Sequence, residues 1–77
     1  MSELSRLKLR CRRGMKELDV ILMRYLERHY ETASEQERVY LDELLDLQDP
    51  ILYGMVMGMD AAPEYYQPLI AKLAAYS

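Results

Sequence analysis

The chain has 77 residues, with 10 Lys and Arg against 13 Asp and Glu, and a formal net charge of −3. This length fits one small domain, and the single Cys and single His exclude an internal disulfide and a zinc site of nitrogen and sulfur ligands. The composition is typical of a folded chain, and the longest stretch without charged or strongly polar residues, 50–59, is about half of what a membrane-spanning helix needs. We therefore expect a soluble cytoplasmic protein that does not insert into a membrane.

The first half of the sequence predicts two helices. Leu4, Leu7 and Cys11 recur at intervals of three and four residues, which indicates one face of a short first helix. Gly14 interrupts that pattern. A second helix is predicted over about 15–31 by a longer stripe, which consists of Met15, Leu18, Leu22, Tyr25, Leu26 and His29.

A third helix is predicted over about 35–47. Ser34 is followed three residues later by Glu37, the spacing of a capping box in which each side chain satisfies the other residue's free amide. The apolar residues that follow, beginning with Val39, are expected to face the core.

Two more helices complete the predicted chain. Asp49 can cap a fourth helix over about 50–57, with Pro50 in its first turn, Ile51 facing inward and Gly58 as a left-handed terminator. Pro68 requires the last helix to begin near residue 65 or to kink. The sequence therefore predicts an all-α fold, a compact bundle of about five short helices forming a single domain over 1–77.

Charge is unevenly distributed along the chain. Residues 1–16 carry six basic residues and one acid, a local net charge of +5, whereas residues 17–77 carry a net charge of −8. A field polarised in this way steers association. The basic segment alone would suggest nucleic-acid binding, but the acidic remainder would be repelled by a duplex, so an anionic surface on a protein partner fits better.

The segment 12–19 admits two interpretations. Gly14 lies at the junction of the first two helices, and Glu17 and Asp19 place negative charge near the positive end of the second helix. The first interpretation is a helix cap beside two solvated arginines, Arg12 and Arg13. In the second, Gly14 lets another chain approach the backbone, Arg13 offers its forked donors to a carboxylate or carbonyl of that partner, and Glu17 makes a reciprocal contact.

The run CRRGMKELD, residues 11–19, resembles the signature of the succinate dehydrogenase FAD assembly factors, also called flavinators. The RGxxE motif of that family matches Arg13, Gly14 and Glu17, and the Asp49-Pro50 helix start is also similar. The resemblance implies a five-helix bundle that binds the flavoprotein subunit of succinate dehydrogenase or fumarate reductase. It also implies that binding promotes covalent attachment of FAD to a histidine of that subunit.

The same resemblance gives the expected chemistry of the site. It implies a chaperone-like assembly factor that is not an enzyme, with partner-binding residues Arg12, Arg13, Gly14, Glu17 and Asp19. No catalytic or metal-binding residues are predicted, and none of the three glycines belongs to a dinucleotide or phosphate-loop motif. We therefore expect the chain to act on FAD that the partner flavoprotein holds, without binding FAD tightly itself.

Other functions stay open beside this one. Proteins that resemble the family have also been described as antitoxins of a membrane-associated toxin, and a nucleic-acid binder with a basic N-terminus is a third reading. An enzyme is disfavoured because His29 has no nucleophile at a motif spacing and lies on the apolar side of its helix, where it is expected to be a packed residue. Cys11 is expected to be buried as a small apolar residue.

Overall fold

Five α-helices follow one another in a computed structural model, which describes residues 2–77. They are α1 (Glu3–Arg10), α2 (Lys16–His29), α3 (Glu35–Leu45), α4 (Asp49–Val56) and α5 (Gln67–Ala74), and a 3₁₀ turn, Glu64–Tyr66, leads into α5. No strand occurs in the described residues, so the all-α prediction is confirmed. Position 1 of the predicted domain lies outside them.

The last helix forms the centre of the packing. α5 contacts α2, α3 and α4, while α1 packs against α2. Each of these helices turns leucines into a shared core, and the largest fully buried aliphatic side chains are Leu18, Leu22, Leu41, Leu44, Leu52, Leu69 and Leu73. The core therefore draws on all five helices, including Leu7 of α1.

The start of α3 follows the prediction in part. The Ser34 hydroxyl accepts a hydrogen bond from the Glu37 amide at 3.1 Å, as an N-cap should. The Glu37 carboxylate does not return to Ser34, because it binds Tyr25 and Lys72 from other helices. The reciprocal half of the predicted capping box is therefore wrong.

The two ends of α4 agree with the prediction in part. Asp49 is the first residue of the helix and not its cap, and Pro50 follows it in the first turn, where its missing amide is not needed. At the other end Gly58 adopts a φ of +78°. The two amides after Gly58 donate to the Gly54 carbonyl at 2.8 and 3.0 Å. This is a left-handed helix terminator, as predicted.

Three details of packing refine the sequence analysis. Pro68 is the second residue of α5, so the helix starts late enough to need neither its amide nor a kink. Val39 and Ile51 were expected to face inward, but their side chains are 45% and 46% exposed. Both residues lie at the edge of the apolar face of their helix. Sequence periodicity does not show whether a neighbouring helix reaches far enough to cover a residue in that place.

Candidate partner-binding site

The loop between α1 and α2 presents its glycine to solvent. Gly14 has a φ of +95° and is exposed, and a Cβ placed on it would meet no atom within 4 Å. The left-handed backbone, and not crowding, is therefore what requires glycine here. The absence of a side chain leaves the backbone open to close approach from outside.

Arg13, immediately before that glycine, points into the protein. Its side chain is only 11% exposed. The guanidinium donates from Nε to the Asp49 carboxylate and from its two terminal nitrogens to the carbonyls of Leu45 and Leu47. The sequence analysis predicted that these forked donors would bind a partner protein. In the structure they instead donate to the chain's own α3–α4 junction.

The position of these acceptors explains why an arginine is favoured. Leu45 is the last residue of α3, and that helix has no basic residue in its last turn. A helix C-terminus carries partial negative charge on its unpaired carbonyls, which a cation stabilises. Arg13 supplies that cation from a distant loop, and its planar fork satisfies two carbonyls and one carboxylate together.

Asp19 secures the backbone of the same arginine. Its Oδ1 accepts a hydrogen bond from the Arg13 amide at 2.8 Å. Arg13 is thus held at its main chain by α2 and at its side chain by the α3–α4 junction. Asp19, which was predicted to contact a partner, has a contact within the chain that fixes the loop.

Glu17 and Arg12, in contrast, are exposed as a partner-binding role requires. Glu17 is the second residue of α2, and none of the hydrogen bonds or ion pairs found within residues 2–77 engages its carboxylate. Lys16 and Glu17 form the rim of an apolar groove of about 410 Å³ between α2, α4 and the C-terminal residues. The groove is lined by Val20, Ile21, Tyr53, Met57, Tyr76 and Ser77.

A second groove lies on the other side of the same helix. It is lined by Arg12, Gly14, Asp19, Val20, Met23, Arg24 and Glu27. Val20, 38% exposed, separates the two grooves. We call the surface formed by Arg12, Gly14, Glu17 and Val20 the loop face.

The basic character of the N-terminal segment is smaller than its sequence suggests. Arg10 donates to Asp42 at 2.5 Å and to Asp46 at 2.7 Å, and these bonds join α1 to α3. Arg10 and Arg13 are therefore neutralised by acids of the acidic half. The basic residues of the N-terminal segment that remain exposed are Arg6, Lys8, Arg12 and Lys16.

A polar network that sequence analysis missed lies at the far end of α2. The Glu37 carboxylate accepts from the Tyr25 hydroxyl and from Lys72 at 2.8 Å. Burial raises the pKa of Glu37, but the hydrogen bonds from Lys72 and Tyr25 and the charges of Lys72 and His29 outweigh it, so the pKa falls below its ordinary 4.5. No local spacing could reveal this network, because its members come from three helices.

His29 and Cys11 are both packed against other residues of the chain. His29 stacks on Tyr25 with ring centroids 5.4 Å apart, and its Nε2 lies 2.8 Å from the Tyr76 hydroxyl oxygen. Cys11 is completely buried. Burial raises the pKa of its thiol from 9.0 to about 11, against the opposing charges of Arg13 and Arg10. A buried thiol with a raised pKa is a poor nucleophile.

Two features are absent from the part of the chain that the structure describes. Among residues 2–77, no group of three or more His, Cys, Asp or Glu side chains could hold a metal ion. None of the helices described is both long enough and apolar enough to cross a bilayer.

Comparison with known proteins places the chain beside assembly factors. A family model described as "Flavinator of succinate dehydrogenase" matches residues 5–77. A protein named FAD assembly factor SdhE from Methylococcus capsulatus is 45% identical over 75 residues, which cover 97% of this chain and 87% of that protein. Proteins of the same name from Haemophilus ducreyi and Vibrio vulnificus (strain CMCP6) are 40% and 46% identical over 82% and 73% of this chain, and 79% and 65% of their own lengths. No solved structure matches the chain significantly.

Proposed function

Because this chain belongs to the flavinator family of succinate dehydrogenase, we propose that it binds the flavoprotein subunit of succinate dehydrogenase or fumarate reductase and promotes covalent attachment of FAD. The family match over residues 5–77 carries this proposal. The exposed loop face, which includes two of the three residues of the RGxxE motif, supports it. The relatives give the antitoxin alternative no support.

In this proposal the chain acts without holding FAD itself. The α1–α2 loop precedes a helix N-terminus, which is a common place for a phosphate. Here, however, Glu17 and Asp19 lie in the first turn of α2 and would repel a diphosphate. The glycines Gly14, Gly54 and Gly58 are also too scattered to cradle one. The residues therefore do not fit a dinucleotide, which is consistent with FAD held by the partner.

The chain would contribute positioning. A flavin supplies most of the chemistry of its own attachment, so a helper gains most by stabilising the flavoprotein conformation in which the acceptor histidine and the flavin are aligned. Binding to that conformation in preference to others shifts the population towards it. The chain is therefore a binding protein and not an enzyme in this proposal.

The loop face has the features that such contacts use. Gly14 permits close approach of a partner backbone, and Val20 with its two flanking grooves offers an apolar centre. Charged residues surround that centre, as at the rim of other protein interfaces. The exposed basic residues Arg6, Lys8, Arg12 and Lys16 would speed encounter with an anionic partner.

The test compares two exposed glutamates in equivalent places. Glu17 and Glu35 both lie in the first turn of a helix, so replacing either with alanine removes a similar interaction with the helix dipole, about 0.3–1 kcal/mol. We expect Glu17→Ala to weaken binding to the flavoprotein subunit about 10- to 100-fold, the loss of a charged hydrogen bond. Glu35→Ala should bind as the unmodified chain does.

Covalent flavin provides the functional measurement. The flavoprotein subunit is produced with and without the chain, and the flavin that remains attached after denaturation is measured by its fluorescence. The proposal is wrong if the unmodified chain neither binds the subunit nor increases covalent flavin. Equal incorporation with Glu17→Ala and the unmodified chain would remove Glu17 from the binding site.

A further inference from the structure

From the contacts of Arg13 we infer that Asp49 is a positioning residue for the loop face, acting through Arg13 from the start of α4. The inference rests on the proposed function, since it concerns how the partner-binding surface keeps its shape. Asp49 lies 36 residues beyond Arg13 in the chain. Its carboxylate and the Leu45 and Leu47 carbonyls form the socket that receives the guanidinium, which we call the arginine socket.

The loop itself has few other anchors. The amides of Cys11 and Arg12 bond back to the last turn of α1, at 2.9 and 3.2 Å. Beyond these two, the hydrogen bonds found between loop residues 12–14 and the rest of the described chain all involve Arg13. Gly14 follows Arg13 directly and has the widest backbone freedom of any residue. The arginine socket, together with the hydrogen bond from the Arg13 amide to Asp19, therefore holds Gly14 in the position from which it is presented.

Burial makes Asp49 the strongest part of the socket. The Arg13 and Asp49 side chains are 11% and 25% exposed, whereas most surface ion pairs are more open and contribute little. Removing the charge of Asp49 leaves a nearly buried guanidinium without its counter-ion, which disfavours the present loop conformation. Conformations in which the guanidinium lies outside the socket, with the loop displaced, would then become more populated.

The chain contains a second long-range arginine–aspartate contact that does not hold the loop. Arg10 also reaches from the N-terminal segment to acidic residues after it, and it binds Asp42 and Asp46. This pair joins α1 to α3, and Arg10 is the last residue of α1. Loss of the Asp42 charge therefore removes a contact between helices without changing what holds Arg13 and Gly14, although the Arg10 and Asp42 side chains, 35% and 51% exposed, are more open than those of Arg13 and Asp49.

The experiment compares Asp49→Asn with Asp42→Asn. For each full-length variant, the melting temperature, the Kd for the flavoprotein subunit and the amide hydrogen exchange of residues 12–15 are measured. We expect Asp49→Asn to raise the Kd about tenfold or more and to speed exchange of the loop amides. Asp42→Asn should lower the melting temperature only slightly, because its ion pair is exposed and Arg10 keeps Asp46 as a partner, and its Kd should stay within about twofold of the unmodified value. These factors follow from about 1.4 kcal/mol per tenfold change in binding.

Two further variants separate positioning from general stability. Asp49→Glu keeps the carboxylate and should recover part of the binding, which also gives a result if Asp49→Asn does not fold. The double variant Arg13→Lys with Asp49→Asn should bind no more weakly than the poorer single variant, because both changes disable one socket.

The outcomes distinguish the inference from the proposed function. If the unmodified chain does not bind the flavoprotein subunit, the proposed function fails. If it binds, but Asp49→Asn binds equally well with unchanged loop exchange, the positioning role of Asp49 is refuted while the proposed function stands. If Asp49→Asn does not fold, weaker binding by Asp49→Glu with unchanged loop exchange gives the same refutation. Weaker binding by Asp42→Asn in proportion to its lost stability would also refute it.

Discussion

Replacing Gly14 with alanine tests whether the loop face needs an exposed backbone. At φ +95° an L side chain is strained even in open space, and the position holds no atom within 4 Å of the added Cβ. The change in folding free energy is therefore the backbone term alone, about 1–2 kcal/mol for a residue forced into left-handed geometry. For a domain of this size each kcal/mol lowers Tm by about 4–8 °C, so we expect a loss of roughly 5–15 °C with the fold retained.

Gly58 provides the control for this substitution. It has a φ of +78°, it also has no atom within 4 Å of an added Cβ, and it lines neither groove of the loop face. Gly58→Ala should therefore lower the melting temperature by about as much as Gly14→Ala does. In a co-production assay, however, only Gly14→Ala should reduce covalent flavin, because only there does a methyl group, or a shifted loop, obstruct the partner.

The comparison has a clear refuting result. Circular dichroism gives the melting temperature of each variant, and flavin fluorescence after denaturation gives the yield of attachment at a temperature where both variants are folded. If the two variants lose the same fraction of flavin attachment, the effect is one of stability. If neither loses any, the exposed backbone of Gly14 has no part in binding.

Two further predictions concern the titratable groups of Glu37, which is half-buried, and Cys11, which is in the core. The pKa of Glu37 is lower in the folded chain than its ordinary 4.5, so its contribution to stability is complete above pH 4.5 and is lost as the pH falls through the folded pKa. In urea unfolding, Glu37→Gln should flatten the dependence of the unfolding free energy on pH in this range. An unchanged pH dependence would contradict the lowered pKa of Glu37. Cys11 is fully buried, with a thiol pKa raised to about 11. At pH 8 it should therefore react with a thiol reagent only as the chain unfolds. Stoichiometric labelling of the folded protein would contradict this and would show that the structure opens locally around Cys11.

Local patterns were sufficient for most of the fold. Apolar spacing predicts every helix, and Ser34 and Gly58 mark two of their ends, because caps and terminators act through amides and carbonyls only a few residues away. The errors at Val39 and Ile51 concern the edges of a helix face. Exposure there depends on the width of a neighbouring helix, and sequence spacing does not contain that information.

The partner-binding role of residues in the segment 12–19 stays a prediction, and the structure shows only which of them are exposed and which are held inside the chain. Gly14, Glu17 and Arg12 are exposed as a binding surface requires. Arg13 was taken for a surface donor, because a charged residue beside glycine has no visible local acceptor and arginine is seldom buried unless it is paired. One signal for its burial was present: the lack of a basic residue near the end of α3, just before Asp49.

The arginine socket also has a consequence for protein engineering. A segment copied from residues 11–19 into another scaffold, or synthesised as a peptide, would contain every residue of the RGxxE motif but not the acceptors at 45, 47 and 49. Such a copy would reproduce the letters of the motif without its geometry. The smallest unit that can be transferred is therefore discontinuous and consists of the α1–α2 loop together with the α3–α4 junction. A design that moves or reshapes this surface must include both segments.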